Sequence, residues 1–335
     1  MVETVYPDDK KTWVVLEAFL KAQGIQKDRN LDYTCVVRDA DGNLIATGSC
    51  YGNTIRCLAV EKSREGTGLL CEVMTHLIHV QASRSVTELF LCTKCDVAEK
   101  MQYLGFYEVA RHEPEVVLME NQLKGFARYL NALDKHPEYA LKAAVVMNAN
   151  PFTKGHQFLV EYAAQRCEHL YIFIVSEDCS AVPFSARKQM LDAGTAHLKN
   201  ISIHECGPYM ISNATFPSYF LYDEKSVVEN HALLDAAVFV AIAKETGISV
   251  RYFGEEPYSI VTDQYLQVLK HELPRNGIQC IVIPRIQING ETVSASIVRK
   301  LLEQEKWPEI QDIVPETTLR FFQSSQGTDI IRHIK

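Results

Sequence analysis

The residues best suited to chemistry lie between a buried strand and a helix near the middle of the chain. An apolar run from Ala143 to Met147 leads into a short polar loop, and Thr153-Lys154-Gly155-His156 then opens an amphipathic helix. In a parallel sheet such a loop lies at the carboxyl edge, where open α/β sheets bind ligands. Gly155 allows a ligand to approach the backbone, the helix N-terminus offers unpaired N–H groups, and Lys154 and His156 add side-chain donors. This combination predicts a site for a phosphate chain.

A second segment of this kind lies far downstream. Val293-Ser294-Ala295-Ser296-Ile297-Val298-Arg299 follows an apolar strand from Ile278 to Ile283 and opens another helix. Each segment alone has an ordinary explanation, namely a strand, loop and helix with an incidental His156, and a surface helix capped by Ser294. Two segments in this order, each at a strand-to-helix junction, favour one shared phosphate site.

The two segments resemble the (H/T)xGH and ISTSxxR signatures of the HIGH nucleotidyltransferase superfamily. The resemblance implies a Rossmann-like domain with a parallel sheet, in which Thr153, Lys154 and His156 are the catalytic residues. The ATP-binding residues that it implies are Asn148, Asn150, Gly155, Ser294, Ser296 and Arg299. In this superfamily the hydroxyls and the Arg of the second signature hold the β and γ phosphates.

Two further loops suggest substrate contacts. The strand from Ser249 to Phe253 is followed by Gly254-Glu255-Glu256-Pro257-Tyr258, which resembles the adenosine-side loop of HIGH-type enzymes. A long polar loop after the strand Ile201 to Glu205 contains Asn213 and Thr215. We interpret that loop as a candidate pocket for the acid or the acyl acceptor.

The N-terminal part of the chain has another pattern. After a first helix come an antiparallel hairpin with the turn Asp41-Gly42, a strand, a Gly-rich turn, a helix, a strand and a short helix closed by Gly105. This order resembles the GNAT acyltransferase fold, in which a Q/RxxGxG/A turn binds the pyrophosphate of coenzyme A. Here the turn is Ser63-Arg64-Glu65-Gly66-Thr67-Gly68, so both glycines are present but Ser63 replaces the expected Gln or Arg. The resemblance implies that Gly66 and Gly68 lie beside a pantetheine or coenzyme-A-like group.

The predicted fold class is therefore α/β, with an α+β domain followed by a Rossmann-like domain. We expect a GNAT-like domain over residues 1–120, a helical connector over 121–139 and a nucleotidyltransferase-like ATP-binding domain over 140–335. Phe126, Leu130 and Leu133 recur at helical spacing in the connector, and His136-Pro137 ends it.

Composition limits the function classes. The 335 residues carry a net charge of −8, which argues against a broad electrostatic hold on nucleic acid or on anionic lipid. No apolar run has the length needed to span a bilayer, and the first residues are no signal peptide. We expect a cytoplasmic protein that binds neither nucleic acid nor membrane.

The ten cysteines are scattered, mostly within apolar runs. This distribution fits free buried thiols in a reducing compartment. Cys92 and Cys95 form the only CxxC, and no second pair at zinc-ligand spacing accompanies it. The sequence predicts no metal site built by the protein.

The order of these parts resembles the citrate lyase ligase family, in which a GNAT-like domain precedes a HIGH-type domain with NANPFTKGH and a later VSASIVRKLL. The resemblance implies that ATP, acetate and the thiol form of citrate lyase give AMP, pyrophosphate and the acetylated lyase through an acetyl-adenylate. The thiol belongs to a coenzyme-A-derived prosthetic group on the acyl carrier subunit of the lyase. ATP enters with Mg²⁺ as a substrate complex, and no tightly bound cofactor is expected.

Two other functions remain open from the residues. A small-molecule adenylyltransferase would move AMP onto a phosphorylated acceptor, and a non-enzymatic module would bind ATP without turnover. The products separate the three hypotheses, because only the ligase gives an acetylated thiol.

Overall fold

The computed structural model describes residues 2–28, 30–176, 180–210, 224–255, 260–288 and 290–334. Asn213, Thr215 and the segment 256–258, which carry predictions made above, lie outside the described residues. The described chain divides into two compact units. One unit comprises residues 2–129 and 224–237, and the other comprises residues 130–210 and 238–334.

The first unit is built on a mixed sheet. Its elements in chain order are β1 (Val2–Thr4), α1 (Lys10–Ala22), β2 (Tyr33–Arg38), β3 (Leu44–Tyr51), β4 (Thr54–Val60), α2 (Leu69–Ser83), β5 (Phe90–Thr93), α3 (Ala98–Tyr103), β6 (Tyr107–His112) and β7 (Val116–Glu120). The strands lie in the order β1-β2-β3-β4-β5-β7-β6, and neighbours are antiparallel except β4 and β5. This is the α+β arrangement that the GNAT resemblance predicts.

The strands β4 and β5 are paired over a short length. They are parallel, and their register joins Thr54 to Phe90 and Ile55 to Leu91. Beside this junction, β4 carries a bulge, because the pairing of β3 with β4 shifts between Thr47 and Ser49. The chain leaves β4 towards the Gly-rich turn, so the sheet positions that turn at the N-terminus of α2.

The second unit is built on a parallel sheet. Its elements begin with the end of α4 (Gly125–Ala132) and continue with β8 (Lys142–Met147), α5 (Lys154–Ala164), β9 (His169–Ile174), α6 (Phe184–Thr195), β10 (Ile201–Glu205), the end of α7 (Glu224–Thr246), β11 (Val250–Gly254), α8 (Ile260–Arg275), β12 (Gln279–Ile283), β13 (Gln287–Ile288), β14 (Glu291–Thr292), α9 (Ala295–Glu303), α10 (Trp307–Ile313), α11 (Glu316–Gln323) and α12 (Ser325–Ile334). The order in the main sheet is β10-β9-β8-β11-β12, with every neighbouring pair parallel. The Rossmann-like prediction is confirmed.

This strand order creates a topological switch point. From β8 the chain first proceeds to β9 and β10 on one side, and later to β11 and β12 on the other. Crossovers that leave in opposite directions open a crevice outside the carboxyl ends of β8 and β11. The loop between β8 and α5 lies at that crevice.

The burial of apolar side chains stabilises the parallel sheet. Ala143, Ala144 and Val145 of β8 are fully buried, as are the residues from Leu170 to Ile174 in β9. A strand buried on both faces reads as a continuous apolar run, which is why the sequence pattern located β8. The helix α6 begins at Phe184, and its N-cap residue Pro183 makes no side-chain capping bond.

Among the residues that the structure describes, none of the helices has the length and apolar content needed to cross a bilayer.

Candidate active site

The first motif is held by a capping box at the start of α5. Thr153 is the N-cap residue, and its Oγ1 accepts a hydrogen bond from the backbone N–H of His156 at 3.3 Å. In return, the backbone N–H of Thr153 donates to Nδ1 of His156 at 3.1 Å. The two residues thereby satisfy each other's helix-terminal groups and fix the direction of the imidazole.

This network sets the tautomer of His156. Because Nδ1 accepts a hydrogen bond, the proton of the neutral ring lies on Nε2, the nitrogen that the capping box leaves unused. Burial, together with the nearby charge of Arg285, lowers the pKa of His156 to about 4. At neutral pH the side chain is therefore an uncharged N–H donor at a helix N-terminus.

Phe152 supports the imidazole. Its fully buried ring stacks on His156 with the ring centroids 5.9 Å apart. A Cβ atom at Gly194 of α6 would lie 2.5 Å from Cε1 of Phe152, so only glycine leaves room for this ring. The packing of α6 thus helps to position His156.

The second motif forms the N-terminus of α9. Ser294 is its N-cap residue and accepts a hydrogen bond from the N–H of Ile297 at 3.2 Å. Arg299 donates to Oγ of Ser296 at 3.2 Å and to the carbonyl oxygen of Asn150 at 2.6 Å. The last bond joins the second motif directly to the loop of the first.

Gly155 gives a second contact between the motifs. A Cβ atom built on Gly155 would lie 3.6 Å from both Cγ1 and the carbonyl oxygen of Val293. Since Val293 directly precedes the N-cap Ser294, the starts of α5 and α9 pack against each other. The structure therefore brings together Thr153, His156 and Gly155 with the second motif.

The amine of Lys154 binds another helix and not the loop of the first motif. Its Nζ donates to the carbonyl oxygens of Gln311 and Asp312, at 3.2 and 2.7 Å. These carbonyls belong to the last turn of α10, where a cation is favoured by the helix dipole. The amine that the sequence nominated for phosphate contact thus tethers α5 to α10.

The two asparagines of the loop bind protein groups. Asn150 accepts the backbone N–H of Val182 at 3.0 Å through Oδ1. Asn148 accepts Nη1 of Arg187 at 2.6 Å and donates to Oγ of Ser180 at 3.2 Å. Both side chains therefore shape the carboxyl edge of the sheet.

Arg187 connects the loops at this edge. It is fully buried, and its Nη1 also donates to the carbonyl oxygen of Val175 at 2.7 Å, while its Nε donates to that of Val182 at 3.0 Å. These contacts give Arg187 a buried structural role at the carboxyl edge of the sheet.

Arg285 is a basic residue near the site that the motifs did not nominate. It follows β12, donates from Nε to the carbonyl oxygen of Glu255 at 2.5 Å, and lies 3.5 Å from the carbonyl oxygen of Val293 through Nη1. The only sequence signal was its place directly after an apolar strand, at Pro284-Arg285.

The Gly-rich turn of the first unit has the backbone expected for an anion-binding loop. Gly66 has φ +79° and Gly68 has φ +87°, and Gly68 is the N-cap of α2 without a side-chain cap. A Cβ atom at either glycine would meet nothing within 4 Å. Left-handed backbone and open space at a helix N-terminus suit the close approach of a phosphate.

Within the described residues, no group of His, Cys, Asp or Glu side chains has the geometry of a metal site. Cys92 is buried in β5 and Cys95 is half-buried beyond it, and both are free thiols.

Comparison with known proteins identifies the family. The family model for the citrate lyase ligase C-terminal domain matches residues 142–322, which include both motifs. The [Citrate [pro-3S]-lyase] ligase of Haemophilus influenzae is 33% identical over 322 residues, covering 94% of this chain and 96% of the relative. The enzyme of the same name from Escherichia coli strain K12 is 33% identical over 325 residues, covering 94% and 92%. The chain belongs to the citrate lyase ligase family.

A solved structure was also compared with this citrate lyase ligase family member. Thermotoga maritima TmcAL bound with alpha-thio ATP aligns with 55% of this chain and 55% of its own, at 15% identity and a TM-score of 0.37. The assignment to the citrate lyase ligase family depends on the sequence matches, which extend over both units.

Proposed function

We propose that this chain is a [citrate (pro-3S)-lyase] ligase that acetylates citrate lyase at the expense of ATP. The observation that carries the proposal is the bond from Arg299 to the carbonyl of Asn150, because it unites two phosphate-binding helix N-termini at the switch point of a parallel sheet. Family membership supports the reaction, and this geometry supports a triphosphate site at the two helix N-termini.

The reaction has two displacements. A carboxylate oxygen of acetate attacks the α-phosphorus of MgATP, the bond from that phosphorus to the bridging oxygen breaks, and pyrophosphate leaves. The thiolate of the carrier then attacks the acetyl carbon of the acetyl-adenylate, the bond from carbon to the phosphate oxygen breaks, and AMP leaves. The thiol proton passes to solvent.

His156 and Thr153 act in the first displacement. The neutral imidazole donates its Nε2 proton as a hydrogen bond to the α-phosphate, and the capping box holds the ring in place while charge develops. The free N–H groups of the first turn of α5, including the turn at Gly155, add further donors. Positioning and charge neutralisation are the main contributions that a protein makes to such transfers.

Ser294, Ser296 and Arg299 bind the β and γ phosphates. The two serines open α9, and the guanidinium of Arg299 spans from Ser296 to the loop of the first motif. Burial lowers the pKa of Arg299 below its usual value, yet an arginine remains charged throughout the physiological range. Asn148 and Asn150 contribute by shaping the loop around the nucleotide.

The N-terminal part receives the carrier. We assign residues 1–120 to a GNAT-like domain, 121–139 to a connector and 140–335 to the ATP-binding domain. Gly66 and Gly68 lie beside the pantetheine arm of the prosthetic group on the acyl carrier subunit, through the backbone N–H groups of their turn. The protein works in the cytoplasm, where its free thiols stay reduced.

The test is pyrophosphate release from MgATP by the purified protein, with and without acetate and deacetylated citrate lyase. The ligase is expected to release pyrophosphate only with acetate, to place an acetyl group on the lyase thiol and to restore citrate cleavage. Release that ignores acetate but requires a phosphorylated small molecule would instead establish an adenylyltransferase.

A further inference from the structure

Arg285 and the start of α5 approach the same backbone carbonyl. Nη1 of Arg285 lies 3.5 Å from the carbonyl oxygen of Val293, and the Cβ position of Gly155 lies 3.6 Å from that oxygen. The nearest guanidinium nitrogen therefore lies within about 7 Å of the Cβ position of Gly155, in the first turn of α5, which also contains His156. The second anchor of Arg285, the carbonyl of Glu255, directly follows β11.

This place is the switch point of the sheet. The crevice opens between the carboxyl ends of β8 and β11, and Arg285 is bonded to the residue that follows β11. A triphosphate at the N-terminus of α5 therefore has this guanidinium nearby. His156, whose pKa the charge of Arg285 helps to lower, is the residue assigned to the α-phosphate, so the α-phosphate is the one nearest to Arg285.

The site also needs a permanent positive charge at this switch point. His156 is neutral at pH 7, and the amine of Lys154 binds the carbonyls that end α10. Arg299 is engaged at the start of α9, beside Ser296. A guanidinium offers five N–H donors in a planar fork and stays charged, so Arg285 can bind phosphate while it remains anchored to the protein.

We propose that Arg285 is a further nucleotide-binding residue, whose guanidinium contacts the α-phosphate of ATP and then the phosphate of the acyl-adenylate. This rests on the proposed function for the identity of the intermediate. Arg299 loses its contacts with the β and γ phosphates when pyrophosphate leaves. Arg285 keeps its positive charge beside the adenylate until the thiol attacks. The residue thereby retains the reactive anhydride between the two displacements.

The first test is binding of adenosine, AMP and MgATP to the protein and to Arg285→Gln, Arg285→Lys and Arg299→Gln. We expect Arg285→Gln to weaken AMP and ATP binding by about 10- to 100-fold and to leave adenosine binding within about twofold, because only the phosphate contact is lost. Arg299→Gln should weaken ATP binding more than AMP binding. Arg285→Lys should fall between the protein and Arg285→Gln, since lysine keeps the charge without the planar fork.

Arg275→Gln is the matched control, because it removes an exposed guanidinium from the end of α8 in the same unit. Its nucleotide affinities should equal those of the unchanged protein. Wild-type affinity of Arg285→Gln for AMP would overturn the proposal, and so would an equal loss of adenosine and AMP binding, since that pattern indicates a merely structural role.

The pH profile gives a second readout. The charge of Arg285 helps to keep the pKa of His156 low, so the acid limb of kcat/KM for pyrophosphate release should move to higher pH in Arg285→Gln. An acid limb that stays in place would contradict the assigned position of the guanidinium. Nucleotide binding needs neither acetate nor lyase, so a protein that binds ATP but releases no pyrophosphate with acetate would refute the ligase function and leave this binding test intact.

Discussion

At the scale of residues, the site consists of a few side chains whose partners define their chemistry. His156 is useful as a donor because Thr153 occupies its Nδ1, and Arg299 is useful as an anchor because Asn150 offers a carbonyl. The sequence located these residues through their motifs but gave no direction for their side chains. Lys154 illustrates the difference, because its amine binds the end of a helix more than 150 residues downstream.

His156→Ala should lower pyrophosphate release by about 10²- to 10³-fold, the usual effect of removing a donor that stabilises developing charge. The capping box is also lost, so the free energy of unfolding should fall by about 1 kcal/mol. Steady-state release assays and urea denaturation measure the two effects. His197→Ala is the control, because His197 is exposed and paired with Glu161, and this variant should remain active. A folded His156→Ala protein with near-normal turnover would remove His156 from the mechanism.

Lys154→Met tests where the amine acts. If Lys154 anchors α10, the substitution should lower the free energy of unfolding by about 0.5–1 kcal/mol and change ATP affinity by less than about threefold. Chemical denaturation measures the free energy of unfolding, and nucleotide titration measures the affinity for ATP. A tenfold loss of ATP affinity with unchanged stability would restore the phosphate contact that the motif suggests.

At the scale of elements, the apolar patterns of the sequence predicted the strands and helices that are long and buried. The strands β8 and β12 were located from their continuous apolar runs. The strands β1, β6 and β7 were missed. β1 has three residues and β6 has one buried residue, so neither has a clear apolar pattern, and the short buried run of β7 was not assigned to a strand. Arg285 was missed for a related reason, since one arginine after a strand has no pattern of its own.

The Gly-rich turn at the start of α2 makes a prediction for an element. Replacing both Gly66 and Gly68 by Ala should strain the left-handed backbone by about 1–2 kcal/mol per residue and displace the N–H groups of the turn. We expect a higher KM for the acyl carrier with little change in kcat at saturation. Gly42→Ala is the control, because Gly42 has φ +85° and open space but lies in the hairpin between β2 and β3. An unaltered KM for the carrier in the double variant would give the turn a structural role alone.

At the scale of the whole molecule, ionisable groups away from the site link stability to pH. His169 is buried at the start of β9, with Nε2 at 2.9 Å from Oγ of Ser202. His136 shares that hydroxyl at 3.3 Å, with its ring centroid 3.9 Å from that of His169. Asp134, Glu138 and His204 also face this group. Burial first, and the neighbouring His136 second, lower the pKa of His169 to about 4.

This pKa predicts acid sensitivity. Between pH 6.5 and 4 the unfolded chain binds the proton that folded His169 rejects, so the free energy of unfolding falls as the pH falls through this range. Taking 6.5 for the unfolded chain, the linkage relation gives about 2 kcal/mol lost at pH 5 from this residue. Urea unfolding at pH 5 and pH 7 should show a smaller difference for His169→Gln than for the unchanged protein. His271→Gln, at an exposed residue of α8, should keep the full difference, and equal differences in all three proteins would contradict the assignment.

The bond from Arg299 to Asn150 also bears on how the protein is made. The two residues are 149 positions apart, so the ribosome finishes the loop after β8 long before it adds the arginine. A nascent chain that stops short of α9 can form the first capping box but lacks the second helix start and its guanidinium. Nucleotide recognition is therefore acquired only after the ribosome has added α9.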